Sequence, residues 1–321
     1  MSTEPSEERD LIVAHRAEAA DGVVHLVLVR GDGGELPEWL PGAHLDLGVE
    51  IAGEPLRRQY SLCGDPSQRD RWEIAVLREP EGRGGSEYVH DYLQVSAPVR
   101  VWGPRNNFPF VDEPRYTFIA GGIGVTPILP MIAAADRAGA DWTLYYGGRR
   151  RTSMAFTERL AGYGERVVLW PEDERGLLDL PAILGDRAAA GVVYCCGPEA
   201  LLAAVEKNCE GWPEGALRVE RFRPAEGLLG GAEDAFEVEF AESGITVEVA
   251  AGQSILDAAQ GAGIEVDSSC TEGTCGTCET VVLSGEIDHR DSVLSASERA
   301  AGDVMMVCVS RARCGRLVLE L

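Results

Sequence analysis

Three cysteines within nine residues, Cys270, Cys275 and Cys278, with a fourth, Cys308, after 29 intervening residues, constrain this chain more than any other feature. A segment that presents three thiols so close together is neither a regular helix nor a strand, and it must curl around whatever it binds. The spacing C-x4-C-x2-C…C is the plant-type [2Fe–2S] pattern, in which four thiolates hold two irons. The loop composition agrees. Gly273 and Gly276 tolerate positive φ and close backbone approach, and the intervening Ser and Thr residues are small. Cys308 follows the apolar run Val304–Val307, which reads as a buried strand end. Structural zinc is the first alternative, but zinc sites usually carry two CxxC-like pairs, and Cys275/Cys278 is the single one here. Disulfides are the second, and nothing marks the chain as secreted. Cys314 remains open as a fourth ligand in place of Cys308. Cys63, Cys195, Cys196 and Cys209 are scattered.

The chain has 321 residues, enough for two or three domains with separate cores. Its 53 acidic residues against 29 basic ones give a net charge of −24, which disfavours nucleic acid or an anionic membrane as partner. Residues 235–321 share the bias, with 15 acids and 5 arginines, so the cysteine region suits a partner with a basic patch as well as it suits plain solubility. No stretch approaches the about 20 apolar residues of a membrane helix, and Met1–Glu8 lacks the basic and apolar parts of a signal peptide. A soluble, cytoplasmic protein is expected.

Residues 1–110 read as mostly β. Val23–Val29, Leu45–Val49 and Trp72–Leu77 are strand patterns punctuated by Gly and Pro, as in an antiparallel barrel. Over 111–223 strands alternate with helices: Tyr116–Ala120, Trp142–Tyr146, Arg166–Trp170 and Gly191–Cys195 are the strands, with an apolar helix from Pro127 to about Ala138. That order implies a doubly wound parallel sheet. Residues 224–234 have linker composition. Residues 235–321 open with Phe236–Phe240 and Ile245–Val249, a hairpin pattern, and Ser254 caps a helix leading to the cysteine loop.

Two further motif sets suggest cofactors. Arg58-Gln59-Tyr60-Ser61 lies on a barrel strand. Arginine can pair with phosphate, tyrosine can pack on a flavin ring, and serine can bond its edge. Gly84-Gly85-Ser86 then precedes a helix, with Ser86 as its expected cap, and helix N-termini favour anions. Gly121-Gly122-Ile123-Gly124-Val125-Thr126-Pro127 follows a strand and opens a helix, the setting of a dinucleotide loop, with Thr126 as N-cap and Pro127 first in the helix. Cys196-Gly197-Pro198 ends another strand at the same sheet edge, where Cys196 can approach a nicotinamide. Arg149 opens an Arg-Arg-Arg run suited to a cofactor ribose or a 2′-phosphate. Each of these motifs alone has an ordinary reading: a Gly turn, a surface charge run, a buried spectator thiol.

Together the motifs resemble the phthalate dioxygenase reductase family, most of all its vanillate O-demethylase reductase branch. The shared residues are Arg58–Cys63, Gly82–Ser86, Gly103–Asn106, Gly121–Pro127, Cys196–Pro198, Glu220–Phe222, the cysteine loop, His289-Arg290-Asp291 and Cys308-Val309-Ser310-Arg311. The resemblance implies three modules: a flavin barrel, an α/β nucleotide domain and an α+β β-grasp ferredoxin domain. It makes Cys308 the fourth iron ligand. It implies FMN rather than FAD, with Val76 among the flavin contacts, and NADH as donor. Thr126, Cys196 and Phe222 are expected at the hydride-transfer site, with Phe222 stacked on the flavin. The implied acceptor is a separate oxygenase, usually Rieske-type. A cytochrome P450 is the alternative acceptor, and a non-catalytic ferredoxin-like carrier the alternative class. A monomer suits such a shuttle.

Overall fold

The computed structural model describes residues 7–51, 53–225, 227 and 234–321. The chain forms two compact units, one ending at Glu220 and one beginning at Arg221. The expected linker, 224–234, falls largely outside the described residues.

The first unit opens with β1 (Glu8–Ala20), β2 (Val23–Arg30), β3 (His44–Ile51), β4 (Glu54–Ser61), β5 (Trp72–Leu77), α1 (Gly85–Tyr92) and β6 (Pro98–Arg105). The strands are antiparallel in the order β4-β3-β6-β1-β2-β5. The two ends of this sheet meet. Leu62, just past β4, bridges Ile74 of β5, and the Cys63 N–H donates to the Glu73 carbonyl at 2.9 Å. The sheet thus closes into the barrel that its short, alternating strands predicted, and closure removes exposed edges. Alternation fills it: Leu11, Val13, Leu26, Leu28, Leu45, Leu47 and Ile74 are fully buried, each such side chain contributing about 1.5–3 kcal/mol.

A parallel sheet follows: β7 (Arg115–Gly121), β8 (Asp141–Gly148), β9 (Val167–Pro171), β10 (Val192–Cys196) and β11 (Leu217–Glu220), in the order β11-β10-β7-β8-β9. Its helices are α2 (Val125–Arg137), the short α3 (Thr157–Ala161), α4 (Glu172–Arg175), α5 (Leu180–Leu184) and α6 (Arg187–Ala190), and α7 (Glu199–Asn208). Tyr116–Ala120 is buried throughout apart from trace exposure of Thr117, as a central strand covered on both faces requires. From β7 the chain winds outward through β8 and β9, then returns to the other flank of β7 as β10. The gap between the carboxyl ends of β7 and β10 is therefore the topological switch point, where such sheets bind ligands. Val23, Cys63 and Ala75 of the barrel share one core with Val125, Ile128 and Tyr146 of this sheet and its helix. That common core is why the two regions expected as separate domains pack as a single unit.

The second unit contains β12 (Phe236–Phe240), β13 (Ile245–Val249), α8 (Ile255–Gly261), β14 (Glu279–Ser284), β15 (Ile287–Asp288), α9 (Ala296–Ala301), β16 (Val304–Met306), β17 (Arg311–Ala312) and β18 (Arg316–Leu319). The expected hairpin pairs Phe236 with Val249 and Phe240 with Ile245. The mixed sheet runs β13-β12-β18-β14-β16, with β12 and β18 parallel. Ser254 caps α8, its Oγ accepting from the Asp257 N–H at 2.9 Å. Ile255 and Ala259 of that helix share a core with Val238, Phe240 and Leu317, which makes the β-grasp arrangement. Phe240 is fully buried, so Phe240→Ala should cost about 3–5 kcal/mol.

Candidate functional site

The three motif regions each gather residues that are distant in sequence, and they do so by different means. At the barrel, Arg58 of β4 reaches across to the turn before α1. Its Nη2 donates to the Arg83 carbonyl at 3.4 Å. A Cβ on Gly85 would lie 2.6 Å from Arg58 Cγ, so only glycine allows the guanidinium stem this close. The helix starts at Gly85 with Gly84 as its N-cap, at φ 78 and without a side-chain cap. The first helical bond runs from the Tyr88 N–H to the Gly84 carbonyl, leaving the amides of Gly85, Ser86 and Glu87 without partners inside the helix. Ser86 is thus not the cap that the sequence suggested; its Oγ accepts from the Glu79 N–H at 3.0 Å. An arginine beside an uncapped helix N-terminus fits a phosphate.

The strand carrying Arg58 is braced from behind. Gln59 Nε2 and Arg105 Nη2 donate to Asp46 Oδ1 at 2.9 and 2.6 Å. Burial works against the Asp46 carboxylate, but Arg105 and Gln59 outweigh it and hold its pKa below the usual range. Tyr60 is partly buried beside the barrel core, and burial raises its pKa. Val76 packs fully inside that core, with its carbonyl 2.9 Å from His90 Nε2. Its side chain is barrel packing, whatever its backbone contacts. Sequence reasoning gave Asp46 no role. The available signal was an acid within His44-Leu45-Asp46-Leu47, a run buried at every position.

At the switch point, the ends of β7 and β10 touch through glycine. A Cβ on Gly124 would lie 2.2 Å from the Cys196 carbonyl oxygen, and one on Gly121 2.7 Å from Pro198 Cδ. A Cβ on Gly197 would come 3.0 Å from Gly121 Cα. Gly122, at φ 54, has open space around it. Gly122–Gly124 form a 3-10 turn that starts α2 earlier than expected: Gly124 is the N-cap and Pro127 the third helical residue. Pro127 still falls in the first turn, where its missing N–H has no helical partner to lose. Thr126 is buried, and its hydroxyl donates to the Ile123 carbonyl at 2.9 Å. This gives Thr126 a local hydrogen bond in place of the N-cap role that the sequence suggested. Arg149 is exposed at the carboxyl end of β8, its carbonyl accepting from the Asp173 N–H.

Cys196 is fully buried in this crevice, and its thiol points at Glu220 Oε2, 3.9 Å away. Burial, with Glu220 adding to it, raises the Cys196 pKa well above normal. Burial likewise pushes the Glu220 carboxyl up to about 8, against hydrogen bonds with Cys196 and Ser61. A serine from the barrel, a cysteine from β10 and a glutamate from β11 thus meet at one spot. No local pattern in the sequence signals such a meeting, and Glu220 carries no role on sequence grounds. Phe222 belongs to the second unit, near its start, and is 42% exposed.

In the second unit the cysteine loop curls as its spacing requires. Thr271, Gly273 and Gly276 take φ of 57, 71 and 73, and these left-handed residues turn amides toward sulfur. Cys270 Sγ accepts from the Glu272 and Thr274 N–H groups at 3.3 and 3.4 Å. Cys275 Sγ accepts from the Cys270 N–H at 3.4 Å and lies 3.1 Å from Thr277 Oγ1. Contacts with the Cys275 and Cys308 thiols pull the Cys270 pKa far down despite burial, while Cys275 and Cys308 are pushed up. Cys308 also contacts Cys278, so all four thiols face one another, and all four are buried. Cys314 stands apart, its Sγ donating to the Arg316 carbonyl at 2.9 Å. Sulfurs receiving amide N–H bonds in a buried curl fit the thiolate ligands of a two-iron cluster.

Comparison with known proteins agrees with this geometry. Residues 238–313 match the 2Fe-2S iron-sulfur cluster binding domain family. The chain is 44% identical over 282 residues to phenoxybenzoate dioxygenase subunit beta of Ectopseudomonas oleovorans, covering 87% of each chain. A solved phthalate dioxygenase reductase, described as a modular structure for electron transfer from pyridine nucleotides to [2Fe–2S], superposes with a TM-score of 0.70 at 36% identity, covering 98% of both chains. An intact type IV self-sufficient cytochrome P450 monooxygenase superposes with a TM-score of 0.90 at 44% identity. There the match covers 98% of this chain but only 41% of the P450 chain. The fold and sites define an oxidoreductase of the iron–sulfur flavoprotein class, moving electrons from a nicotinamide nucleotide through a flavin to a [2Fe–2S] cluster. The chain belongs to the phthalate dioxygenase reductase family. Among the described residues, no helix is long and apolar enough to cross a membrane.

Proposed function

We propose that the protein oxidises NADH with bound FMN and delivers single electrons through its cluster to a separate oxygenase, of the Rieske type. The observation that carries the choice of flavin is Arg58 lying across Gly85 at the uncapped start of α1. The guanidinium and the helix-start amides converge on one small anion, which supports the terminal phosphate of FMN as the group held there. Arg58, the amides of Gly85 and Ser86, Tyr60 and Ser61 would hold the flavin. The glycine turn Gly121–Gly124, with Cys196, Gly197 and Pro198, would hold the dinucleotide. When bound, the flavin supplies the exchange between a two-electron donor and a one-electron acceptor. Glu220 keeps its carboxyl proton at neutral pH and so gives the crevice a buried proton beside Ser61 and Cys196.

NADH as donor is supported by the acidic run Glu172–Glu174 beside Arg149, whose carbonyl accepts from the Asp173 N–H at 3.2 Å; such acids offset the charge a 2′-phosphate would seek. Residues 149–151 also hold Arg151, paired to Glu174 at 3.3 Å. Nine cysteines without a disulfide suit a reducing cytoplasm, and a monomer suits a carrier that meets partners in turn. The test is direct. Flavin released from the purified protein is identified by mass, reduction rates with NADH and NADPH are compared, and sedimentation gives the mass in solution. Bound FAD, or a preference for NADPH, would overturn those parts of the proposal.

The likeness to a self-sufficient P450 favours a second acceptor, a P450 haem domain. Reconstitution separates the two. Turnover with a Rieske oxygenase supports the first reading, and NADH-driven reduction of a P450 haem without Rieske turnover supports the second.

A further inference from the structure

The motif His289-Arg290-Asp291 has no part in the function described so far, although it lies between the two halves of the iron-ligand set. Three ligands come from one loop, and Cys308 comes from the turn after β16. Something must fix the distance between them. On one side, β15 pairs with β17, Asp288 opposite Arg311, and the Arg290 N–H donates to Ser310 Oγ at 3.2 Å. Ser310 is buried and is itself held in the Cys308 turn, its N–H donating to the Met306 carbonyl at 2.9 Å. On the other side, the Ser292 N–H donates to the Gly273 carbonyl at 2.8 Å, midway between Cys270 and Cys275. The packing there leaves no slack. A Cβ on Gly273 would lie 2.6 Å from Val309 Cγ2 and 3.0 Å from Asp291 Cα.

Asp291 holds this strap in shape. It is fully buried. Its Oδ2 accepts from the Val293 and Leu294 N–H groups at 3.1 and 2.8 Å, which fixes the turn that aims Ser292 at Gly273. Arg299 Nη2 donates to the Asp291 carbonyl at 2.6 Å. Oδ1 has no hydrogen-bond partner among the described residues, and His289 Nδ1 stands 3.6 Å from it. A buried carboxylate is kept only where partners hold it; here Arg299 Nη2 also stands 3.7 Å from Oδ2, and the position of Asp291 on the strap accounts for its presence. We propose that Asp291 is a positioning residue for the [2Fe–2S] cluster: through Arg290, Ser292 and Ser310 it sets the cysteine loop against the Cys308 turn. The proposal rests on the four-cysteine site holding that cluster.

The test compares Asp291→Ala, Asp291→Asn and Ser310→Ala with wild type in the full chain. Iron release to a chelator and the electron paramagnetic resonance g values of the reduced cluster are measured, with flavin reduction by NADH as an unaffected control. Asp291→Ala should release iron about tenfold faster, the scale of lost outer-shell support, and shift the g values. Asp291→Asn keeps an oxygen that can accept from Val293 and Leu294, and should restore both readouts. Wild-type behaviour of Asp291→Ala would overturn the proposal. So would equal damage in Ala and Asn, because charge would then matter rather than the turn. Should Asp291→Ala fail to fold, Ser310→Ala decides: faster iron release with altered g values supports the strap, and unchanged values sink it. A wild-type protein that never takes up iron would remove the cluster assignment itself, an outcome distinct from all of these.

Discussion

The cysteine loop and the crevice at the switch point of the parallel sheet gather side chains against closely packed backbone in opposite ways. The loop is local. Three of the four cysteines proposed as iron ligands, with the amides directed at their sulfurs, come from nine consecutive residues, and the left-handed positions are Thr271, Gly273 and Gly276. The crevice is assembled from strand ends far apart in sequence: Gly121–Gly124 after β7, Cys196–Pro198 after β10, Glu220 on β11 and Ser61 from the barrel. A local site announces itself by spacing. An assembled one shows only its pieces until the sheet order brings them together.

The largest expected break in that comparison is Cys308→Ser. Outer-shell changes alone cost about 10–100-fold, so losing a ligand should abolish acid-labile sulfide and cut NADH-driven cytochrome c reduction by more than that. Flavin reduction by NADH should persist, because it belongs to the other region. Cys314→Ser should leave iron content unchanged, since that thiol is bonded to Arg316 instead. Loss of iron from Cys314→Ser, or its retention in Cys308→Ser, would reverse the ligand assignment.

Next in size is Gly124→Ala. Its new methyl meets the Cys196 carbonyl at 2.2 Å, and backbone there cannot yield as a side chain can. Overpacking of this kind costs about 1–3 kcal/mol, and the KM for NADH should rise about tenfold while the cluster spectrum stays unchanged. A normal KM would mean that the two strand ends do not form the nucleotide site. Arg58→Ala comes next. Loss of one charge-assisted bond, about 1.5–3 kcal/mol, should weaken flavin binding about tenfold or more, read as flavin content after gel filtration. Full retention would move the phosphate elsewhere.

The smallest effect concerns Glu220. Its folded pKa of about 8 lies above the ordinary 4.5, so between those values the folded protein keeps a proton that the unfolded chain has released. The first unit should therefore lose stability as pH rises from about 4.5 to about 8, and level off above that. Glu220→Gln should flatten this slope. All six tryptophans precede Arg221, so tryptophan fluorescence in urea reports this unit alone. An unaltered slope in the variant would assign the proton to another group.

Much of the fold was legible because burial imposes a period. Trp72–Leu77, Phe236–Phe240 and Ile245–Val249 form the strands their alternation predicts, and Ser254 caps α8 as a short polar residue before an apolar run should. The helix starts were less legible. Ser86 and Thr126 look like caps, yet Gly84 and Gly124 take those positions. A glycine backbone can begin a helix without any side-chain oxygen, and no composition rule separates the two cases. Asp46 and Glu220 were hidden for another reason: each is an acid whose partners come from other elements.

By itself the sequence determined the three-cysteine loop, the glycine turns that let backbone segments approach closely, and the strand patterns of barrel, parallel sheet and C-terminal hairpin. Each of these depends on neighbours along the chain, through steric freedom at single residues or a period of two. Tertiary structure alone decided that the barrel and parallel sheet share one core, that Arg58 lies on Gly85, and that Ser61, Cys196 and Glu220 meet. Those contacts join residues dozens of positions apart, and only strand order and packing against a common interior set their distances.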